Sequence, residues 1–565
     1  MLGGEMLPLL PDMLRTVLRR AAAPLRVWWR SNLLYRRMLR GPLADHIVFH
    51  PWDGAPRRLE DADALLRGRF RFHGVHLDVP DGVSVFDLAP PSPEWRAALH
   101  AFDWLPPLSS AGGDNARRLA TNLIGQWIRR YGVYSEPAWS PHVMAQRLAA
   151  IFSHGRLVVQ NSEMTWRSRL FVNLREQCKI LERISAEAPD GLPRLESAAV
   201  LALSALCLDD SLRRRQTGLA RLEEEIERQI LPDGGHVSRS PEILLQAYRQ
   251  LVMVMEGLNA VGEEPPHSLR NAHDRMAPML RFFRHGDGAL APLNGGGEGD
   301  AKMIAGLLSR DEVRGQPFHH ARHSGYQRLS AGRSLCLIDC GKTPPGAFAL
   351  EAHAGCGAFE LSSGNDRIVV NCGTGGQANQ AWDLALRATA AHSTVTVADT
   401  SSAQILPPGI ARDLLGPRLL DGPLEIFSRR SETAQGWTVD MAHDAYAASF
   451  GIRHERQVTL SPQGLMVTGR DRLIGEKPRG QARNFAVRFH IHPDVRVSRL
   501  DGGGILLKLP GGEGWRFRAG GGQLEVEESV YLGANMVRRT EQLVINASLK
   551  DSPAEIAWVF EQIVA

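Results

Sequence analysis

A polar turn between two predicted helices carries the residue types that best suit chemistry on an anion. The stretch ILPDGGHVSRSPEILL begins at Ile230 and places His236, Ser238 and Arg239 directly after a Pro-Asp-Gly-Gly turn. Imidazole exchanges protons near neutral pH, and the planar guanidinium fork matches carboxylate, sulfate or phosphate. The stretch therefore predicts either a loop that contacts an anionic substrate or a plain connector between helices.

The composition indicates a globular protein with more than one core. The chain has 565 residues, of which 43% are hydrophobic and 23% charged, so we expect two large domains or a three-part arrangement. A net charge of +4 gives no reason to expect a nucleic-acid partner. The six cysteines lack CxxC spacing, which excludes the usual zinc-ribbon and redox motifs and predicts small buried side chains.

The beginning of the chain is strongly basic. Between Met13 and Ala44 the sequence has eight arginines and no acidic residue, interleaved with VWW and NLLY. No apolar run approaches the ~20 residues needed to cross a bilayer, and no clear signal peptide is visible. We expect either an ordinary packed helix with solvated arginines or peripheral contact with an anionic membrane surface.

Two patterns of apolar periodicity divide the rest of the chain. From Glu94 to about Leu308, apolar residues recur at spacings of three and four, which predicts amphipathic helices packed as hairpins. After Tyr326 they alternate with polar residues between Gly, Pro and Asn turns, which predicts antiparallel strands with sandwich packing. The fold class expected is multidomain α + β, with the helices first.

Several phrases within these elements resemble the heparinase II/III-like polysaccharide lyase family. They are GYQRLSAGRSLCLIDCG, EAHAGCGAFELSSGNDRIVVNCG, RATAAHSTVTVAD, HERQVTLSPQGLMVTGRDRL and RFHIHPDV, with LLRGRFRFHG and ILPDGGHVSRSP before them. The resemblance covers most of the chain from about Leu66. It implies an incomplete α/α toroid followed by an antiparallel β-sandwich, and it sets the predicted segments at 1–65, 66–310 and 311–565. It also implies β-elimination of uronic-acid polysaccharides in a cleft, without an organic cofactor.

The resemblance also nominates catalytic residues, although this chain departs from the family pattern. Family members have DGSHxExSxxYH where this chain has DGGHVSRSPEIL, so His236 is retained and the tyrosine position falls on Ile243. Tyr248 follows five positions later, about 140° further around a helix. The usual HxHADxxxFEL reads EAHAGCGAFEL, which puts Glu351 at the first histidine position. A lyase that uses other residues would rely on His236, Arg239, Tyr248 and Glu351.

Candidate substrate contacts come from both halves. Asn173 and Gln177 lie where the resemblance implies a grip on the uronate carboxylate, and Arg147 could pair with such a group. Tyr446 lies near a turn between strands that belongs to the resemblance. Each of the four also has an ordinary interpretation as a helix-surface amide or as packing within a core.

Some family members bind zinc in the β region. The ligand positions that the resemblance implies fall on His353, Asn371 and His392, with asparagine in place of the family's aspartate. Asparagine brings no charge and is a weaker zinc ligand than a carboxylate. The three residues therefore predict either a degraded zinc site or a hydrogen-bond network.

Two functional hypotheses follow. The leading one is a lyase that cleaves acidic polysaccharide by β-elimination, and the alternative is a non-catalytic glycan-binding or envelope polysaccharide assembly protein on the same scaffold. The resemblance implies the cell envelope or periplasm, whereas the missing signal peptide leaves a cytoplasmic or membrane-peripheral location open. The sequence does not specify the glycan, its linkage or the oligomeric state.

Overall fold

The computed structural model describes residues 7–41, 44–54, 59–160, 162–310, 317–375, 380–475, 484–533, 536–549 and 553–563. The chain divides into two compact units. The helical unit comprises Leu10–Gln229 and Gln246–His273. The sandwich unit comprises Met1–Leu9, Ile230–Leu245 and Asp274–Ala565.

These units divide the chain differently from the predicted segments, because Ile230–Leu245 and the region from Asp274 onward group with the strands. The predicted boundary at 311 lies outside the described residues, as do residues 1–6, 42–43 and 55–58 of the predicted N-terminal segment.

Amphipathic helices joined by short connections build the helical unit, together with a small antiparallel hairpin of β1 (Arg69–Phe72) and β2 (Val75–Asp78). The helices are α1 (Leu10–Ser31), α2 (Leu33–Arg37), α3 (Leu59–Leu66), α4 (Pro93–Ala101), α5 (Leu105–Ala111), α6 (Gly113–Tyr131), α7 (Pro141–His154), α8 (Arg156–Val159), α9 (Met164–Ile184), α10 (Leu192–Leu208) and α11 (Leu212–Gln229), with α12 (Pro241–Ala260) and α13 (His267–Phe282), which each include residues of both units.

Helix α10 forms the centre of this unit. Every residue from Leu195 to Leu208 is buried, so this helix is enclosed on all sides and not along one stripe alone. It packs against α7 and α11. A side chain at Gly218 of α11 would overlap the backbone of Ala202, so the close approach of these two helices requires glycine.

Two antiparallel sheets build the sandwich unit. Their strands are β3 (His320–Ala321), β4 (Tyr326–Ala331), β5 (Ser334–Asp339), β6 (Phe359–Ser363), β7 (Asp366–Val370), β8 (Val395–Val397), β9 (Ile426–Thr433), β10 (Gly436–His443), β11 (Arg453–Leu460), β12 (Met466–Ile474), β13 (Asn484–Ile491), β14 (Arg496–Arg499), β15 (Ile505–Lys508), β16 (Gly514–Gly520), β17 (Gln523–Tyr531), β18 (Arg538–Ser548) and β19 (Ala554–Ile563). One sheet has the order β14-β15-β16-β19-β12-β11-β10-β9, and the other has the order β17-β18-β13-β7-β6-β5-β4-β3, with β8 beside β13. Short helix α14 (Ala301–Leu308) precedes β3, and α15 (Gln380–Leu386), α16 (Ile410–Leu415) and α17 (Ala447–Phe450) lie between strands in the chain order.

The core of the sandwich unit contains apolar side chains from both sheets. Phe359 of β6 stacks on Trp558 of β19 with ring centroids 5.3 Å apart, and Phe489 of β13 packs against the same indole. Phe485, Val487, Phe489 and Ile491 alternate along β13 and are all buried, as their spacing predicts. The predicted α + β fold class, with helices first and an antiparallel sandwich second, is confirmed.

Candidate functional site

Arg239, one of the nominated residues, is buried and ties two turns of the sandwich unit together. Its Nε donates to the carbonyl of Ser324 at 2.8 Å, while Nη1 donates to the carbonyl of Lys342 at 3.0 Å and Nη2 to that of Gly325 at 3.3 Å. The guanidinium also forms an ion pair with the buried carboxylate of Asp339. Its hydrogen bonds are therefore directed to the protein itself.

The local backbone is built around this side chain. Arg239 has φ +62°, a left-handed conformation that is uncommon for a residue with a Cβ. A side chain at position 341 would overlap the guanidinium of Arg239, so the close approach of the two requires glycine at this position. Burial alone would lower the pKa of Arg239. The charge of Asp339 outweighs burial and raises this pKa above its ordinary value. Arg239 therefore stays charged and paired.

Asp233, in the Pro-Asp-Gly-Gly turn, also binds the 320–325 turn, which is one of the two turns that Arg239 contacts. Its Oδ2 accepts from the backbone N–H groups of His323 at 2.8 Å and Ser324 at 2.7 Å. Its Oδ1 accepts from the hydroxyl of Ser324 at 2.8 Å and from the N–H of Gly235 at 3.1 Å. The stretch that begins at Ile230 is thus a clamp on the 320–325 turn.

A second set of polar groups extends from Asp339. The amide of Asn294 donates to the hydroxyl of Tyr326 at 2.7 Å and to Asp339 Oδ2 at 3.3 Å, and the Tyr326 hydroxyl donates to the carbonyl of Arg239 at 2.8 Å. The N–H of His353 donates to Asn294 Oδ1 at 3.4 Å. Desolvation raises the pKa of Tyr326 above its ordinary range, so the phenol stays protonated as a donor.

His236 is buried and interacts with its own loop. Its Nδ1 accepts from the backbone N–H of Ser238 at 3.0 Å and lies 2.7 Å from the hydroxyl of the same residue. Because Nδ1 accepts, the neutral ring carries its proton on Nε2. Desolvation lowers the pKa of His236 to about 3, so the ring is neutral at physiological pH.

Carboxylates gather around Glu351. The residue as a whole is exposed, but desolvation of its carboxyl, followed by the charges of Asp383 and Glu242, raises the pKa of Glu351. Glu242 is itself fixed by the N–H of Gly297, which donates to its Oε2 at 2.6 Å. Arg387 lowers the pKa of Glu351, and its guanidinium donates to the carbonyls at positions 352 and 349. The neighbourhood of Glu351 thus contains more carboxylates than cations.

The residues nominated for zinc are hydrogen-bonded in two separate sets. His353 Nδ1 lies 3.1 Å from His392 Nε2, and His392 Nδ1 lies 2.9 Å from the carbonyl of Ala388. Asn371 donates to Glu360 Oε1 at 3.1 Å and accepts from the N–H of Ser393 at 3.0 Å. Desolvation lowers the pKa values of both histidines.

This donor set does not fit a zinc ion. Zinc sites in proteins use three or four His, Cys or carboxylate ligands, and here the asparagine amide is bonded to Glu360 and Ser393. Within the part of the chain that the structure describes, no group of three or more His, Cys, Asp and Glu side chains could hold a metal ion. Each of the three residues has a hydrogen-bond partner within the protein.

Three nominated substrate contacts form one internal chain in the helical unit. Arg147 is buried and donates from Nε to Gln177 Oε1 at 2.9 Å, and Gln177 donates to Asn173 Oδ1 at 2.6 Å. The guanidinium lies 4.1 Å from the ring centroid of Trp127 and also donates to two backbone carbonyls. Desolvation lowers the pKa of Arg147 to about 9. The three side chains bind one another.

The two nominated tyrosines are buried in different units. The hydroxyl of Tyr248 lies 2.9 Å from His273 Nε2 in the helical unit, and the two rings stack. The hydroxyl of Tyr446 donates to the carbonyl of Val395 at 2.8 Å within the sandwich unit.

Of the nominated residues, the structure links Arg239, His353 and His392 through Asp339 and Asn294.

Sequence reasoning missed Asp339, Asn294, Glu242 and Asp383. A signal existed for Asp339, since RSLCLIDCG places a lone acid at the end of an apolar strand, and a buried carboxylate requires a partner. That partner, Arg239, is distant in sequence and could not be assigned from spacing. Glu242 lies on a predicted helix, where acids are ordinarily solvated, and Asp383 lies on a helix that the alternating pattern after Tyr326 did not predict.

Comparison with known proteins gives consistent results at three levels. The family described as Heparinase II/III-like, C-terminal matches residues 313–559. The FtsZ-localized protein C of Caulobacter vibrioides (strain NA1000 / CB15N) is 30% identical over 540 residues, which cover 94% of this chain and 92% of that protein.

Solved structures show the same fold. A crystal structure of heparinase III is similar with a TM-score of 0.70 and 15% identity, covering 98% of this chain and 92% of that one. A mutant of the heparan sulfate lyase HepC from Pedobacter heparinus is similar with a TM-score of 0.62 and 17% identity, covering 94% of this chain and 87% of that one. At such identities the likeness establishes architecture alone.

Proposed function

Because the chain belongs to the heparinase II/III-like family, we propose that it is a cell-envelope protein that binds polysaccharide on a lyase scaffold without cleaving it by β-elimination. The observation that carries this proposal is the group of carboxylates around Glu351, the residue at the position of a family histidine. Asp383 and Glu242 both raise the pKa of Glu351.

Elimination requires the opposite electrostatic environment. The proton next to a uronate carboxylate becomes acidic only when hydrogen bonds or positive charge neutralise the developing anion. A uronate beside Glu351 would add its negative charge to those of the neighbouring acids, which is unfavourable in a partly desolvated site. Glu351 has the raised pKa of a proton-transfer group, but among the described residues two carboxylates, Asp383 and Glu242, act on it against the single guanidinium of Arg387.

The other nominated groups are engaged elsewhere. Arg239 is paired with Asp339 and bonded to three carbonyls, so releasing it for a substrate would leave a buried carboxylate uncompensated. His236 is neutral at physiological pH, because desolvation lowers its pKa to about 3, so it brings no positive charge to a substrate.

A panel of uronic-acid glycans tests the proposal. The intact chain should bind at least one of them without the rise in ultraviolet absorbance that unsaturated uronate ends produce. If absorbance rises, and Glu351→Gln abolishes the rise while the exposed control Glu541→Gln does not, the chain is a lyase and the proposal fails.

A second candidate role is localisation with FtsZ, in the sense of the relative's name. The specific observation in its favour is that this relative matches along nearly its whole length. A fluorescent fusion in the native host should follow FtsZ and disperse when FtsZ is depleted. A distribution that is unchanged by depletion would contradict this role.

Peripheral membrane contact would accompany either role. Helix α1 has no buried residue, and its apolar side chains recur at spacings of three and four: Leu10, Leu14, Val17, Leu18, Leu25 and Trp28 are exposed. Arginines occupy its other face, which is the pattern of a helix that lies on an anionic lipid surface. Among the described helices, none is both long enough and apolar enough to span a bilayer.

Vesicle co-sedimentation tests this contact. Leu14→Glu with Leu18→Glu should reduce binding to phosphatidylglycerol vesicles at least about tenfold, because two apolar side chains leave the lipid. Thr16→Glu with Ala23→Glu adds the same charge on the other face and should reduce binding less. Equal losses would indicate attraction by net charge alone.

A further inference from the structure

We propose that the sandwich unit binds a small oxyanion-bearing ligand in a cavity that does not include Glu351. The cavity has a volume of about 570 Å³, within the range of small-molecule sites. The turns at 320–325 and 340–345 contribute two of its walls, and the start of β9 contributes a third. The inference goes beyond the proposed function, because it concerns residues other than Glu351 and the carboxylates around it.

The walls carry basic side chains and no acidic ones. The lining residues with basic groups are His320, Arg322, His323, Lys342 and Arg239. Arg239 is neutralised by Asp339, so the free charge comes from Arg322 and Lys342, one on each wall. Neither of these two forms an ion pair with any residue that the structure describes, and both are exposed. Both therefore line the cavity without an ion-pair partner among the described residues.

The electrostatic surroundings of the cavity are positive as well. Desolvation, and then the charge of Arg322, lowers the pKa of His320, and Arg430 contributes in the same direction. Asp233 is the acid that opposes them, and its oxygens are occupied by the N–H groups of His323 and Ser324. An anion in the cavity would relieve the repulsion among these cations.

Arg239 and Asp233 hold this arrangement together. Arg239 donates to Ser324 and Gly325 on one wall and to Lys342 on the other, so one buried guanidinium fixes the spacing of the two turns. Asp233 fixes the 320–325 turn through its backbone. Pre-formed walls reduce the entropy lost when a ligand binds.

The remaining lining is apolar, and it indicates what the anion is attached to. Leu231, Val237, Pro344, Ile426 and Phe427 contribute to the cavity, and Phe427 is more than half exposed. An exposed aromatic ring beside two free cations suits a ligand with a carboxylate, sulfate or phosphate on a body that has an apolar face. The candidate ligands share an oxyanion group, and the titration below distinguishes which molecule carries it.

Equilibrium titration of the intact chain tests the proposal with three probes: glucuronate, inorganic phosphate and inorganic sulfate. At least one should bind, and Arg322→Gln with Lys342→Gln should weaken its binding about tenfold or more, since hydrogen bonds to charged groups are lost. The matched control is Arg496→Gln with Lys508→Gln, which removes one Arg and one Lys from neighbouring exposed positions of β14 and β15. This control should leave binding unchanged.

The outcomes separate clearly. Binding of none of the probes, or equal weakening by both double variants, overturns the proposal, the latter because net charge would then be the cause. Tighter binding of glucuronate than of the inorganic ions, lost in Phe427→Ala, supports recognition of a ring together with its anion. Equal binding of all three, sensitive only to the cavity variant, supports recognition of the anion alone.

Discussion

Two regions of the sandwich unit carry opposite charge although the segment from 340 to 351 contributes to both. Arg322 and Lys342 line the cavity between the 320–325 and 340–345 turns and form no ion pair with described residues, and the nearby Asp233 accepts hydrogen bonds from His323, Ser324 and Gly235. Around Glu351, Asp383 and Glu242 add negative charge. An anion would be attracted to the first region and repelled from the second.

The architecture is that of the heparinase II/III-like family, whereas the charge of each region is set by a few side chains. The fold fixes where the backbone runs, whereas a few charged side chains decide which ligand each region attracts. The buried Arg239–Asp339 pair lies against the cavity and is neutral as a unit, so it positions the walls without determining the sign of the charge there.

The largest expected effect comes from breaking that pair. Asp339→Asn leaves the buried guanidinium of Arg239 without its counter-charge, which typically costs about 3–5 kcal/mol of unfolding free energy. It should also weaken any anion binding in the cavity, because the two turns lose their common tie. Urea unfolding measures the first effect.

The matched control is Asp494→Asn in the same unit. Asp494 pairs with Arg538, and both side chains are partly exposed, so this pair contributes about 1 kcal/mol or less. Equal unfolding free energies for the two variants would contradict the structural role given to Asp339.

An intermediate effect is expected from His236 as pH falls. Its pKa in the fold, about 3, is below the value of about 6.5 in an unfolded chain, so its contribution to stability is complete above about pH 6.5 and declines on acidification. Between about pH 6.5 and 5 the wild type should lose about 2 kcal/mol more than His236→Gln, measured by urea unfolding at each pH.

The exposed His323 provides the comparison for this measurement. His323→Gln should keep the pH dependence of the wild type. If His236→Gln also keeps it, the ring of His236 titrates in the fold as it does in water, and its burial in the loop is disproved.

The elements of this fold could be predicted from the sequence because their signals are local. Spacings of three and four gave the helices, and alternation along β13 gave the buried face that contains Phe485 and Phe489. The burial of the opposite face did not follow from the pattern. His490 is expected from alternation to face water or a cleft, yet it is buried, with Ser529 of β17 2.8 Å from its Nδ1.

The candidate site was less predictable, because charge depends on neighbours that are distant in sequence. Arginine is a residue type that binds anions, and the anion that Arg239 binds in the structure is Asp339 of the same chain. Glu351 was recognised from the resemblance, whereas Glu242 and Asp383 acquire significance only where the fold brings them near it. Lys342 and Arg322 belong to no motif, so the cavity could be found only in three dimensions.

The smallest expected effect tests the acidic side of the comparison. Because the pKa of Glu351 in the fold is raised above its unfolded value of about 4.3, the unfolded chain loses this proton first as pH rises. Ionised Glu351 therefore costs stability at neutral pH, by less than about 1 kcal/mol given its exposure to solvent. Glu351→Gln should stabilise the chain by that amount at about pH 7 and not at all at about pH 4, whereas the exposed control Glu541→Gln should change stability at neither pH. Thermal or urea unfolding of the three proteins at both pH values measures this, and destabilisation by Glu351→Gln at about pH 7 would mean that Arg387 outweighs the surrounding acids.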